Sequence, residues 1–292
     1  MFNLIGVKEV IGNLIKITKS YSEIPDKTSL TLAYRQFLRE IQPKVLKPLG
    51  TQTEFFWKKG DIQALIEVFK EESILDDFKN VFDSGVKIDP AMPIFRLKEA
   101  FNRMRQICPS FANLVDIVIH TFFSAQSKLA GGGSTSAAIG CIWIDLRPKW
   151  STQDVLEFII HETTHNLVFI DEFCFRHYRS YEDVAKSENF AWSAILCKTR
   201  PLDKVFHSIV VSLEVLLFRE KVLGHPERPI LHPPTPILLE QTRKSILSIN
   251  KNAQIESLLT NRSKFLLNKC LDQLETINPC ATCGAEQTTI FI

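Results

Sequence analysis

Apolar residues recur at helical spacing through the first third of the chain. The spacing predicts helices over Thr28 to Leu46, Asp61 to Phe82 and Pro93 to Ile107. No grouping of residues in this part is typical of a catalytic site. We therefore expect a helical N-terminal region over residues 1–110 and a second domain over residues 111–292.

The pattern changes after residue 110. The segments Phe111 to Ser124 (FANLVDIVIHTFFS) and Ala138 to Leu146 (AIGCIWIDL) are apolar and rich in β-branched residues, which predicts two strands. Between them, Gly131 to Thr135 (GGGST) has the composition of a flexible loop, without the lysine of a phosphate-binding loop. The fold class predicted from these elements is α+β, predominantly helical, with a small β-sheet.

The next predicted helix, Ser151 to Glu172, carries the most informative motif of the chain. Ser151 and Asp154 have the spacing of a capping box, and apolar residues follow on more than one side of the helix. The helix contains His161-Glu162-Thr163-Thr164-His165, an H-E-x-x-H motif. Residues four apart share one face of a helix, so both imidazoles can reach one metal ion. The alternative is a pair of core histidines bonded to backbone carbonyls.

Three further segments follow this helix. A helix is predicted to start at Ser187 and run to Leu196, and a strongly apolar helix over Asp203 to Val222 contains His207. A proline-rich stretch (HPERPILHPPTPI) predicts a rigid loop before the helices that begin at Leu238.

Composition excludes several classes of function. The chain has 292 residues, 45% hydrophobic and 23% charged, with a net charge of +2. This balance favours neither a nucleic acid nor an anionic membrane as partner, and no apolar run reaches the ~20 residues that span a bilayer. Lys8 and Lys16 interrupt the apolar N-terminus, so no signal peptide is predicted. We expect a cytoplasmic protein with no membrane or nucleic-acid partner.

The seven cysteines are scattered, which predicts free thiols. Cys280 and Cys283 form a C-x-x-C pair near the C-terminus, but a structural zinc site needs two further ligands. The role of this pair stays open.

A metal site on the H-E-x-x-H helix needs at least one more ligand, and two residues compete. Glu188 follows His165 by 23 residues, as in peptidases that add a glutamate to the motif, whereas His207 follows it by 42 residues in an apolar helix. Either set suits zinc or iron, because imidazole binds both metals and two histidines with a carboxylate also bind iron(II).

A resemblance to a known family bears on this choice. The block SAILCKTRPLDKVFHSIVVSLE, from Ser193 to Glu214, follows HETTHN and resembles the H-E-x-x-H domain found beside peptide-modification gene clusters. Members of that group are described as 2-oxoglutarate-dependent peptide β-hydroxylases. The matching positions are Ser193 to Leu196, Arg200 to Asp203, and His207. The resemblance implies a zincin-like metal helix, with His161, His165 and His207 holding Fe(II).

The resemblance also implies further roles. Its substrates would be a ribosomally made peptide, O₂ and 2-oxoglutarate, and an arginine would pair with the distal carboxylate of 2-oxoglutarate. Leu196 stands where the family has an arginine, so the candidates are Arg200, Arg176 and Arg179. Glu162, the candidate catalytic residue, would be an additional metal ligand or would bond to the metal ligands, rather than serve as a proteolytic base.

Two other functions remain open at this point. In a zinc metallopeptidase, Glu162 would be the general base for a zinc-bound water, with His177, Tyr178 or Tyr181 stabilising the oxyanion. The strand beside the helix, within Gly131 to Asp145, would then hold an extended peptide unless it is only a linker. The third possibility is a catalytically silent peptide-binding protein that tolerates Glu162→Gln.

Overall fold

A computed structural model describes residues 1–21, 26–45, 50–71, 82 and 91–278. The described chain is mostly helical with a small mixed sheet, which confirms the α+β class. None of its helices has the length and apolarity that a bilayer crossing requires.

The helices and strands are numbered here in chain order. The helices are α1 (Val7–Thr18), α2 (Lys27–Ile41), α3 (Lys59–Glu71), α4 (Ala91–Ile107), α5 (Pro109–Val118), α6 (Thr152–Cys174), α7 (Tyr181–Val184), α8 (Leu202–Phe218), α9 (Thr235–Asn250), α10 (Ala253–Leu258) and α11 (Asn261–Leu274). The strands are β1 (Glu54–Phe56), β2 (Thr121–Ser124), β3 (Gly132–Gly133), β4 (Cys141–Ile144), β5 (Ala191–Trp192) and β6 (Thr199–Arg200).

The three helices predicted in the N-terminal third are present as α2, α3 and α4. Helix α2 ends at Ile41, short of the predicted Leu46, because the residue before Pro43 is sterically disfavoured in helical conformation. The predicted extension of α3 over residues 72–81 lies outside the described residues.

The predicted strand over Phe111 to Ser124 is wrong for most of its length. Helix α5 occupies Pro109–Val118, and β2 begins only at Thr121. Pro109 at the first helical turn favours this helix start, and the buried Phe111, Leu114, Val115 and Val118 follow at a spacing of three and four residues. The β-branched residues of this segment favoured a strand prediction, although its apolar residues follow a helical period.

The main sheet has the order β1-β2-β4-β3. Strands β1, β2 and β4 are parallel, and β3 is an antiparallel strand at the edge. Because β1 lies before residue 110 and pairs with β2, the N-terminal region is not purely helical. Elements from both sides of residue 110 share one sheet and one apolar core.

Helix α6 runs through this core. Both hydrogen bonds of its capping box are present: Ser151 Oγ accepts from the Asp154 N–H, and the Asp154 carboxylate accepts from the Ser151 N–H. Asp154 also accepts from the backbone N–H groups of Ile230 and Leu231. The proline-rich loop is therefore fixed to the start of the metal-motif helix.

The helix predicted over Ser187 to Leu196 is wrong. A single 3₁₀ turn at Ser187–Asn189 leads into a hairpin of β5 and β6. The turn of this hairpin is closed by backbone bonds between Ser193 and Lys198 and between Cys197 and Ser193, with Cys197 at φ 50°. The hairpin places Arg200 directly before α8.

None of the five cysteines within the described residues forms a disulfide, in agreement with the prediction of thiols. Cys280 and Cys283 lie outside the described residues.

The glycine-rich stretch is a packed edge strand rather than the flexible loop that its composition predicts. A Cβ atom on Gly132 would lie 2.3 Å from the ring of Phe158 and 2.7 Å from the carbonyl oxygen of Trp143. Only a residue without a side chain allows Phe158 of α6 to approach the strand this closely.

We predict opposite effects on stability for two glycine-to-alanine substitutions. Gly132→Ala should lower the free energy of unfolding by about 1–3 kcal/mol, because a methyl group is forced into filled space against backbone. Gly12→Ala, at an exposed position of α1 with nothing within 4 Å, should raise it by about 0.5–1 kcal/mol. Urea denaturation of both variants measures the difference, and equal effects would contradict the close packing of β3.

Candidate metal centre

Helices α6 and α8 bring the predicted metal ligands to one cavity. The cavity has a volume of ≈ 460 Å³, and His161, Glu162, His165 and His207 are in its wall. The glycines of β3 form part of the rim. The hydrogen-bond contacts of these imidazoles are with other histidines, so the alternative of core histidines bonded to carbonyls finds no support in the geometry.

The two histidines of the motif fit one metal ion. The Nε2 atoms of His161 and His165 are 3.2 Å apart. Two ligands of a tetrahedral ion with metal–nitrogen bonds of 2.0–2.1 Å are separated by roughly 3.4 Å, so the pair matches the donor spacing that zinc or iron needs.

His207 approaches the pair from the other side. Its Nδ1 atom lies 2.9 Å from Nδ1 of His165, the ring nitrogen directed away from His161. In this arrangement His207 is a hydrogen-bond partner of His165, and its ring must turn before it can become a third ligand. Among the described residues, no group of three or more histidine, cysteine, aspartate or glutamate side chains is already arranged around a metal position.

Glu162 is buried beside the pair. Its Oε2 atom accepts a hydrogen bond of 2.7 Å from the hydroxyl of Ser134, and its Oε1 atom is 3.7 Å from Nε2 of His161. Burial raises the pKa of Glu162 to about 7, against the opposing effect of the Ser134 bond. A carboxyl group of this kind can exchange a proton near neutral pH at the edge of the metal position.

The three histidines are held neutral. Burial lowers the pKa of His161, His165 and His207 well below the ordinary value, and the nearby charges of Lys204 and Arg200 act in the same direction on the last two. Neutral imidazole is the form that binds a metal, so the ligands need release no proton to solvent at neutral pH.

Of the three candidate arginines, Arg200 lines the cavity. Arg176 donates to the backbone carbonyls of Tyr178 and Arg179, and Arg179 contacts the carbonyl of Leu259. Both lie along a separate surface groove. Sequence reasoning missed Lys204, which lies in the first turn of α8 and also lines the cavity.

The other sequence candidates lie elsewhere. Glu188 is exposed on the 3₁₀ turn and is not part of the cavity wall. His177 is fully buried against Asp171, and Tyr178 is buried outside the cavity wall. Tyr181 does line the cavity, but burial and a hydrogen bond to the Glu172 carboxylate raise its pKa.

A buried chain of polar groups continues from His161 away from the cavity. Nδ1 of His161 is 2.8 Å from Nε2 of His232, whose Nδ1 is 3.0 Å from Oε2 of Glu157. Arg219 donates to both oxygens of Glu157 at 2.8 Å. Sequence reasoning missed these three residues, although Glu157 precedes His161 by one helical turn on the same face.

Comparison with known proteins adds no relative. No protein-family model matches the chain, and no curated protein matches it.

The raised pKa of Glu162 predicts a specific pH dependence in metal-free protein. The unfolded carboxyl group titrates near 4.5 and the folded one at about 7, so its neutral form favours folding at low pH and this contribution is lost as the pH rises from 4.5 to 7. Its size is about 3 kcal/mol. The three histidines act in the opposite direction, because their folded pKa values are depressed.

The difference in unfolding free energy between Glu162→Gln and the parent protein isolates the carboxyl group. In chelator-treated protein this difference should shift in favour of the variant by about 3 kcal/mol between pH 4.5 and 7. Urea titrations at several pH values measure it. A pH-independent difference would show that Glu162 is solvated like an ordinary carboxylate.

Proposed function

We propose that the protein is a metal-dependent peptide-modifying enzyme that hydroxylates a side-chain β-carbon with Fe(II) and 2-oxoglutarate. Its substrate would be a ribosomally made peptide. The observation that carries the proposal is the pairing, in one cavity, of an imidazole cluster with two cationic side chains, Arg200 and Lys204.

The metal would be held by His161 and His165, with His207 as the third ligand once its ring has turned toward the metal position. When bound, Fe(II) and 2-oxoglutarate together would activate O₂ for insertion into a C–H bond. The zincin-like comparison rests on the H-E-x-x-H helix beside a mixed sheet with β3 at its edge.

The two cations suit a dicarboxylate cosubstrate. Arg200 and Lys204 line the same cavity as the imidazoles, and their charges act on both His165 and His207. A dicarboxylate can bind the metal through one end and the cations through the other. Asp203, 3.4 Å from Lys204, balances part of this charge.

The peptide would lie along the glycine strand. Strand β3 is at the edge of the sheet, and its two glycines form part of the cavity rim beside His161 and Glu162. An extended peptide could add to this edge through main-chain hydrogen bonds and place one side chain over the metal position.

A zinc metallopeptidase is the second candidate, and one observation favours it. Glu162, buried and held by Ser134, is close to the metal position and has a pKa suited to a general base. Against it, His177 and Tyr178 lie outside the cavity wall, and Tyr181 is bonded to Glu172. Of the three oxyanion donors predicted for a peptidase, only Tyr181 lines the described cavity.

Binding of 2-oxoglutarate tests the first candidate. Titrated anaerobically into the Fe(II) protein, it should give a weak charge-transfer absorption band that His207→Ala removes. Arg200→Ala and Lys204→Ala should each weaken its binding by about 10- to 100-fold, the effect of losing one hydrogen bond to a charged group. Arg179→Ala is the matched control, because this arginine contacts a carbonyl outside the cavity wall, and it should bind as the parent does.

Glu162→Gln separates the candidates. Hydroxylation should survive this substitution at a reduced rate, whereas zinc-dependent cleavage of a peptide library should disappear. Absence of the charge-transfer band, together with cleavage that Glu162→Gln abolishes, would replace the hydroxylase with the peptidase. Peptide binding by the metal-loaded protein with neither activity would indicate a catalytically silent binding protein.

A further inference from the structure

We infer that His232, Glu157 and Arg219 form a positioning triad that fixes the tautomer of His161, so that its Nε2 lone pair faces the metal position. The inference rests on the metal-binding part of the proposed function, and it is independent of whether the reaction is hydroxylation or hydrolysis.

The first step of the inference concerns the ionisation of the Glu157 carboxyl group. Arg219 donates from Nε and Nη2 to the two carboxylate oxygens at 2.8 Å each, and both side chains are almost wholly buried. Burial alone would raise the pKa of Glu157, but hydrogen bonds from His232 and Arg219 outweigh it and lower the pKa. Glu157 is therefore ionised and can only accept hydrogen bonds.

The second step is the tautomer of His232. Its Nδ1 atom is 3.0 Å from Oε2 of Glu157, and a carboxylate oxygen requires a donor at that distance. His232 thus carries its proton on Nδ1. Because Arg219 already balances the charge of Glu157, a neutral imidazole leaves the buried group without excess charge.

The third step transfers this constraint to His161. With its proton on Nδ1, neutral His232 has a lone pair on Nε2, which lies 2.8 Å from Nδ1 of His161. His161 must then carry its own proton on Nδ1 and donate it to His232. Its Nε2 atom is left with a free lone pair, directed at Nε2 of His165 across the metal position.

The surrounding chain holds the triad in place. Glu157 and His161 are one turn apart on α6, and the loop carrying His232 is tied to Asp154 through Ile230 and Leu231. On its other side, Arg219 Nη1 donates to the carbonyl of Pro233 at 2.8 Å. The loop is therefore anchored on both sides of His232, to Asp154 of α6 before it and to Arg219, directly after α8, behind it.

The tautomers can be observed without any metal. In the chelator-treated protein, ¹⁵N chemical shifts of histidine-labelled protein should show His161 and His232 protonated on Nδ1 alone, with assignments from His161→Gln and His232→Gln. A proton on Nε2 of His161, or on both nitrogens of His232, would overturn the inference.

Zinc affinity supplies the second measurement, with Zn(II) alone as the probe. His232→Leu should weaken binding by about 10- to 100-fold, as for other outer partners of metal-bound histidine. His232→Gln should restore most of it, since the amide can donate to Glu157 and accept from His161. The control is His225→Leu, a histidine of the same loop that contacts Glu220 and the Thr235 hydroxyl but none of His161, His232 and Glu157. Its zinc affinity should stay close to that of the parent protein.

These outcomes separate the inference from the proposed function. Parent-like zinc affinity in a folded His232→Leu variant would overturn the triad. Should that variant fail to fold, the ¹⁵N shifts of the parent protein and the His232→Gln affinity still decide the matter. Correct tautomers and the expected affinity series, without any 2-oxoglutarate band, would uphold the triad and reject the hydroxylase.

Discussion

The structure depends on how helix α6 carries polar side chains through an apolar core. A buried charge or amide is costly unless it is paired, so each one on this helix must meet a partner from another part of the chain. Glu157 pairs with Arg219 at the end of α8, and Glu162 accepts from Ser134 beside β3. The contacts that pair the buried carboxylates of α6 therefore also position α8 and the sheet edge next to His161.

The buried polar side chains in the C-terminal half of α6 are paired in the same way. Asn166 accepts from the backbone N–H of Gly140 and so aligns β4 with the helix. Asp171, fully buried, is bonded to His177 and to both donors of an Arg262 fork. His177 therefore has a structural role, because its Nε2 atom is one of the buried partners of the Asp171 carboxylate.

Sequence reasoning found what depends on local spacing. The H-E-x-x-H pair and the capping box of α6 are properties of a short segment, and they led to His161 and His165. Local spacing left Glu188 and His207 as competing third ligands, and the family resemblance favoured His207. Sequence reasoning failed where tertiary contacts decide. The glycine strand becomes ordered because Phe158 packs on it, and the hairpin of β5 and β6 replaces a helix. His232 is distant in sequence from His161, so only the folded loop reveals their contact.

The two histidines of the motif differ in how far they are prepared for a metal. His161 is hydrogen-bonded to His232, which donates to ionised Glu157, and Glu157 is paired with Arg219. This chain of hydrogen bonds sets the tautomer of His161 before a metal binds. His165 has only another imidazole, His207, at its Nδ1. At 3.2 Å, two facing Nε2 lone pairs repel, so in metal-free protein the proton between them must belong to His165. For Nε2 of His165 to hold a metal, its proton would have to move to Nδ1, which would then donate to Nδ1 of His207. This donation would occupy the lone pair of that His207 nitrogen, so His207 could serve as a third ligand only after giving up its bond to His165.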